Sequence, residues 1–143
     1  MKKTKILFVC KHNMFRSKTA DAYFNKINKD KNIVATSAGF IRGYFPLNRR
    51  EVAVAKEFGV NLSGKPRGLS TDLLREQNLI VIVADDVPNI FNNKDYINPK
   101  TTKIIVWKIP DNPGATSIVK IRKIVKAIMK RVVELNKELE KKK

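Results

Sequence analysis

The stretch that decides the fold is Cys10-Lys11-His12-Asn13-Met14-Phe15-Arg16-Ser17. Ahead of it runs Ile6-Leu7-Phe8-Val9, an apolar block of the kind that forms a buried strand. Behind it Ala20, Tyr23, Phe24 and Ile27 recur at helical spacing. The segment is therefore a turn from the carboxyl end of a strand into the amino end of a helix. Backbone N–H groups there lack an intrahelical acceptor, and the helix dipole favours negative charge. A cysteine at that point is favoured as the thiolate, which is the nucleophile. Arg16 adds a planar fork of donors matched to a tetrahedral oxyanion. Together they read as an anion cradle for phosphoryl transfer through sulfur. The competing reading is a small apolar residue closing a strand, with Arg16 as a solvated first-turn side chain.

Composition narrows the field. A chain of 143 residues, 43% of them hydrophobic, is expected to form one domain (1–143) with a real core. Cys10 is the only cysteine, which excludes an internal disulfide and a cysteine-rich zinc site. Met1-Lys2-Lys3-Thr4 is basic, but only a short apolar strand follows, so neither signal peptide nor spanning segment is expected. The reading is a soluble, cytoplasmic, monomeric protein. The formal net charge of +17 suits an anionic partner or a general lysine-rich surface. From Ile118 onward ten Lys and Arg face three Glu, interleaved with an apolar stripe and without aromatics. That is the wet face of a helix, so no specific nucleic-acid or membrane partner is expected.

The rest of the chain alternates strands and helices. Lys5 to Val9 is read as strand one, followed by a helix from Arg16 or Ser17. Asn32 to Ser37 is strand two, and Ala38-Gly39-Phe40 opens a loop through Gly43-Tyr44-Phe45-Pro46. Asn48 is the expected N-cap of a helix to Phe58, with Gly59 as its stop. Ser63 to Gly68 is irregular, and Ser70 or Thr71 caps a short helix near Asp72 to Glu76. Leu79 to Val83 reads as a central parallel strand, ended by Asp85-Asp86. A short helix from Pro88 to Phe91 and a polar loop from Asn92 to Lys100 follow. Ile104 to Trp107 is strand four, and Pro110-Asp111-Asn112-Pro113-Gly114 is a loop. The last helix starts near Ser117, with a frayed end at Glu140 to Lys143.

This order implies an α/β fold with a mostly parallel sheet and helices on both faces. Ligands of such folds bind beyond the carboxyl ends of the strands, where Cys10, Asp85 and Asp111 would converge. Ester hydrolysis through Cys10 needs stabilised equatorial oxygens, which Arg16 and the N–H groups from Lys11 to Arg16 can supply. It also needs an acid for the leaving group, and Asp111, directly after strand four, fits best. Asp85-Asp86 is the fallback. No cofactor is needed, and the lone His12 cannot make a metal site.

On these residues the chain resembles the low-molecular-weight protein tyrosine phosphatases, whose fold is shared with thiol-dependent arsenate reductases. The resemblance runs through Cys10 to Ser17, Ser37-Ala38-Gly39, the Asn48 to Gly59 helix, Leu79 to Asp85 and Ile109-Pro110-Asp111. It implies a three-layer fold with a four-stranded parallel sheet in the order 2-1-3-4. It makes Cys10 the nucleophile, Arg16 the phosphate-binding arginine and Asp111 the general acid. Lys11, His12, Asn13, Met14, Phe15 and Ser17 form the substrate-binding loop. Asn13 holds the strained loop, Ser17 donates to the thiolate, and Asp85 is structural. The substrate is a phosphorylated protein, with phosphotyrosine foremost, or a small phosphoester, and inorganic phosphate is the product.

The loop departs from the family's usual Cys-x-Gly-Asn-x-Cys-Arg-Ser. His12 stands at the glycine position, where left-handed geometry would be costly, and Phe15 replaces the second cysteine. Phe15 is expected to pack beside the loop, leaving Cys10 without a neighbouring thiol against over-oxidation. Asn112 separates Asp111 from Pro113, and an aromatic wall would have to come from Phe40, Tyr44 or Phe45. Two other readings stay open: an arsenate reductase using an external thiol, and a non-catalytic anion-binding module.

Overall fold

A computed structural model describes residues 3–88, 97–112 and 117–142. The apolar blocks form four strands: β1 (Thr4–Cys10), β2 (Ile33–Gly39), β3 (Leu79–Val83) and β4 (Lys103–Trp107). They make one parallel sheet in the order β2-β1-β3-β4, as the resemblance implied. β1 and β2 both run further than their apolar cores, so that Cys10 lies opposite Gly39. The extension has a cause downstream, because Gly39 also bridges to Gly68 and donates its N–H to the Arg67 carbonyl at 2.7 Å.

The helices are α1 (Arg16–Ile27), α2 (Arg49–Glu57), α3 (Thr71–Arg75) and α4 (Ile118–Lys141). Three begin at the expected caps. Asn48 accepts from the N–H groups of Arg50 and Glu51, Ser70 from Leu73, and Ser117 from Lys120. Gly59, at φ +76°, ends the α2 segment in the left-handed geometry expected of a stop. α4 runs helical to Lys141, with Leu135 and Leu139 keeping its stripe against the core. The expected helix from Pro88 to Phe91 and much of the loop from Asn92 fall on residues 89–96, outside the described residues. So do Pro113 and Gly114.

Alternation along the strands separates two cores. Ile6, Phe8 and Val81 pack toward α1, α2 and α4 with Phe24, Val54 and Ile121. Leu7, Val9, Ile80 and Ile82 pack on the other face with Leu74 of α3 and Ile97. Phe8 sits with its ring 6.0 Å from Phe24 and 5.9 Å from Trp107. Burying each such side chain contributes roughly 2–3 kcal/mol of transfer free energy, and a one-residue slip of β1 would exchange its two faces. The register is thereby set, and it brings the ends of β1, β3 and β4 to one edge of the sheet.

Candidate active site

The loop after β1 owes its shape to the segment after β2. The carbonyls of Cys10, Lys11 and His12 accept the N–H groups of Phe40, Ile41 and Gly43 at 2.8, 2.8 and 3.0 Å. Each carbonyl is drawn away from the cradle. The glycines permit this close approach. A Cβ on Gly39 would lie 2.5 Å from the His12 carbonyl carbon, and one on Gly43 would lie 2.5 Å from Met14 Cγ. Among the described residues other than glycine, Asn13 is the one with positive φ, at +55°. His12 is not left-handed, so the cost of that geometry does not arise there. The turn falls one residue later, on an asparagine, which tolerates that geometry at small cost.

Asn13 is also the hub of the floor. Its N–H donates to Cys10 Sγ at 3.3 Å, its Nδ2 donates to Ser17 Oγ at 2.8 Å, and its Oδ1 accepts the Arg67 N–H at 3.0 Å. Because Ser17 Oγ accepts from Asn13, its own hydrogen is available to Cys10 Sγ, 3.0 Å away. The sulfur thus faces two donors in a buried site. Phe15 stands at the N-cap of α1 with its side chain in the core, as expected, and α1 has no side-chain cap. Met14 turns its sulfur outward to accept the Tyr44 N–H at 3.5 Å. Phe15 and Met14 can therefore offer a ligand only their backbone amides.

Arg16 is 3% exposed, which rules out a solvated first-turn side chain. Its Nη1 donates to the Ile109 carbonyl at 2.9 Å, and its Nη2 donates to both Asp86 oxygens at 2.9 and 3.2 Å. Asp85 lies 3.8 Å from Nη1. The structural carboxylate closest to the arginine is thus Asp86, one residue past the expected one. The bonds to Ile109 and Asp86 fix the direction of the guanidinium, whose five N–H donors outnumber these partners among the described residues.

Through Ile109 the arginine also touches the segment that carries Asp111. The Asp111 side chain is exposed, and its Oδ1 accepts the Asn112 N–H at 2.8 Å. Asn112 is buried and donates from Nδ2 to the Ser117 carbonyl at 3.3 Å. The intervening asparagine therefore anchors the loop to the start of α4.

Two buried charges here escaped the sequence reading. Glu51, on the first turn of α2, feels both Asp111 and Arg16. Burial, and secondarily the Asp111 charge, push its carboxyl up to about 7 against the pull of Arg16. Lys18 lies behind the loop and donates to the Ser63 carbonyl at 3.0 Å. Burial lowers its pKa, opposed by the charges of Asp21 and Cys10. A polar residue at the third position of a capped helix carries no sign of which way it faces, so no local signal marked Glu51. Arg67 likewise had no assigned role. It serves through its backbone to Asn13 and Gly39 and through its Nε to the Ser37 carbonyl at 3.2 Å.

The family model for low molecular weight phosphotyrosine protein phosphatases matches residues 5–143. The chain belongs to this family. No curated protein matches the sequence. Among solved structures, a YwlE mutant from Bacillus subtilis superposes with a TM-score of 0.81 at 20% identity, covering 96% of this chain and 99% of that one. An arsenate reductase from Archaeoglobus fulgidus superposes at 0.71 with 27% identity over 92% and 98% of the two chains. Vibrio vulnificus Wzb in complex with benzylphosphonate gives 0.76 at 21% identity over 94% and 98%. The fold of this phosphatase-family chain is thus shared with arsenate reductases. Among its described residues no helix is long and apolar enough to cross a membrane.

Proposed function

We propose that the protein hydrolyses phosphate monoesters through a phosphocysteine at Cys10, without a metal, with protein phosphotyrosine as the favoured substrate. The observation that carries the reading is the setting of Cys10 Sγ. It lies within 3.0 Å of the Ser17 hydroxyl and 3.3 Å of the Asn13 N–H, at the uncapped start of α1, with a directed arginine six residues on.

In the first step the Cys10 thiolate attacks phosphorus in line. The P–O bond to the leaving group breaks, and Asp111 gives that oxygen its proton. The loop amides and Arg16 carry the charge on the equatorial oxygens, already oriented before substrate arrives. In the second step Asp111, now a carboxylate, takes a proton from water as the water attacks phosphorus. Cys10 leaves as thiolate onto the Ser17 and Asn13 donors, and phosphate departs.

Tyr44 supports an aromatic substrate. It is 80% exposed and is tied by its N–H to Met14 at the cradle, so its ring can flank a phenyl ester. The benzylphosphonate on the Vibrio relative has that shape. The +17 charge favours acidic phosphopeptides, whose kcat/KM is expected to fall as salt rises.

The test is turnover of para-nitrophenyl phosphate in EDTA. Wild type is expected to be active, and Cys10→Ser is expected to lose at least about 10⁴-fold in kcat. Activity that survives in Cys10→Ser contradicts the reading. The 27% identity to an arsenate reductase supports a second reading, arsenate reduction with an external thiol replacing the cysteines this chain lacks. Arsenate-dependent oxidation of added thiol, in place of ester turnover, would favour it.

A further inference from the structure

Asn13 and Ser17 can each be turned two ways. A side-chain amide presents an acceptor at one end and a donor at the other, and a hydroxyl can send its hydrogen to either neighbour. Whether the Cys10 sulfur meets a donor depends on what fixes the direction of both groups. Solvent does not, because Asn13 is 1% exposed and Ser17 is 0% exposed. The fixed point is the Arg67 N–H, 3.0 Å from Asn13 Oδ1. A backbone N–H can only donate, so the amide must meet it with oxygen. That turns Nδ2 toward Ser17 Oγ at 2.8 Å, and Nδ2 again can only donate. The Ser17 hydrogen cannot point at a donor. Among the described residues its other neighbour at hydrogen-bond distance is Cys10 Sγ, 3.0 Å away. Arg67 is itself pinned from outside the cradle. Its carbonyl accepts the Gly39 N–H at 2.7 Å, and its Nε donates to the Ser37 carbonyl at 3.2 Å. Both partners lie on β2, whose Gly39 stands opposite Cys10 in the register of the sheet. The N–H is thereby held to the same sheet that carries the sulfur.

We propose that Arg67 is a positioning residue whose backbone N–H sets the direction of the hydrogen-bond chain through Asn13 and Ser17, so that the chain ends as a donor on Cys10 Sγ. The inference rests on the reading of Cys10 as the nucleophile, and it deepens that reading by naming the group, outside the loop, that keeps the sulfur's donor aimed. With the Asn13 amide reversed, its oxygen would face Ser17 and draw the hydroxyl hydrogen away from sulfur. The thiolate would then lose one of its two donors and be less favoured. The thiolate is both the attacking group of the first step and the leaving group of the second, so both steps depend on that direction.

Two substitutions isolate the N–H. Arg67→Ala removes the side chain and keeps the N–H, whereas Arg67→Pro removes both. Cys10 is the only cysteine, so the ultraviolet absorbance of the thiolate, with Cys10→Ser as the blank, reads its ionised fraction directly. At the pH where half of Cys10 is thiolate in Arg67→Ala, about one tenth is expected to be thiolate in Arg67→Pro. In a Ser17→Ala background the two variants must titrate together, because no hydroxyl is left to turn. A merely structural disturbance would not depend on Ser17 in this way. Should Arg67→Pro fail to fold, nuclear magnetic resonance of wild type decides. A scalar coupling across the hydrogen bond must link the Arg67 amide nitrogen to the Asn13 side-chain carbonyl carbon. Equal titration of the two variants, a difference that survives in the Ser17→Ala background, or absence of the coupling overturns this inference alone. Wild type without thiolate at neutral pH overturns Cys10 as the nucleophile as well.

Discussion

Asn13 and Glu51 are both buried polar side chains at the candidate site, and the fold treats them differently. Asn13 is 1% exposed and places three groups in hydrogen bonds: its N–H, its Oδ1 and its Nδ2. Glu51 is 7% exposed, and its carboxyl has no donor among the described residues. Around the Cys10 sulfur the floor of the cradle is built from Asn13 and Ser17, neutral groups bonded to one another. The wall beyond Arg16 is built from carboxylates. Asp86 is held, Asp111 is exposed and Glu51 is buried without a bonded partner. One region supplies geometry, and the other supplies charges that can change.

That contrast can be broken or sharpened by substitution. The largest effect is expected in the wall. Asp111→Asn keeps shape but cannot donate or accept the proton, and kcat for para-nitrophenyl phosphate is expected to fall about 10²- to 10⁴-fold. Its melting temperature should barely move, because the residue is exposed. A large stability loss with modest kinetic change would mean Asp111 belongs to the scaffold.

In the floor the reverse is expected. Asn13→Ala removes the side-chain bonds to Ser17 and Arg67 and places a Cβ without polar compensation at φ +55°. A destabilisation of about 4 kcal/mol follows, and Asn13→Gly is expected to recover about 1 kcal/mol of it by relieving the backbone. Chemical denaturation measures both. If Gly is no better than Ala, the strain is not at Asn13.

Glu51→Gln comes next and should stabilise. A carboxyl pushed from 4.5 to about 7 in the folded chain binds its proton more tightly there than when unfolded. Its contribution is therefore fully favourable below about pH 4.5 and is lost as pH rises through about 7. At about pH 8 the amide variant is expected to be more stable by roughly 2 kcal/mol, allowing for the cost of burying an amide. At about pH 4 the gain should vanish. A difference independent of pH would show that the Glu51 charge is not the cause. The smallest effect is expected from Arg122→Ala, since the Arg122–Glu57 pair is exposed on both sides and should leave turnover unchanged.

The floor was legible in the sequence and the wall only in part, for a physical reason: Asp111 and the Asp85-Asp86 pair follow the ends of strands, whereas Glu51 lies inside a helix. Cys10, Asn13, Arg16 and Ser17 are local, and their spacing across a strand-to-helix turn is itself the signal. Asn48, Ser70 and Ser117 are legible for the same reason, because a cap acts within three residues. The parallel order of the sheet followed from alternating periodicity and the family resemblance. Contacts distant in sequence left no such trace. Phe40, Ile41 and Gly43 shape the loop through backbone N–H groups, which any residue but proline has. The choice of Asp86 over Asp85 for Arg16 depends on where β3 ends in space. The left-handed turn falls on Asn13, the residue the resemblance gave the role of holding the strained loop. Glu51 becomes visible only in the fold, where it is buried and feels the charges of Asp111 and Arg16 from distant parts of the chain.

The central claim is that Cys10 carries the phosphoryl group. Rapid acid quench of wild type during turnover of para-nitrophenyl phosphate, followed by peptide mass spectrometry, tests it directly. The account predicts a phosphoryl group on the Cys10 peptide, and a stronger signal in Asp111→Asn if loss of the base slows breakdown more than formation. Turnover with no phosphorylated Cys10 peptide under any quench, together with retained turnover in Cys10→Ser, would contradict it.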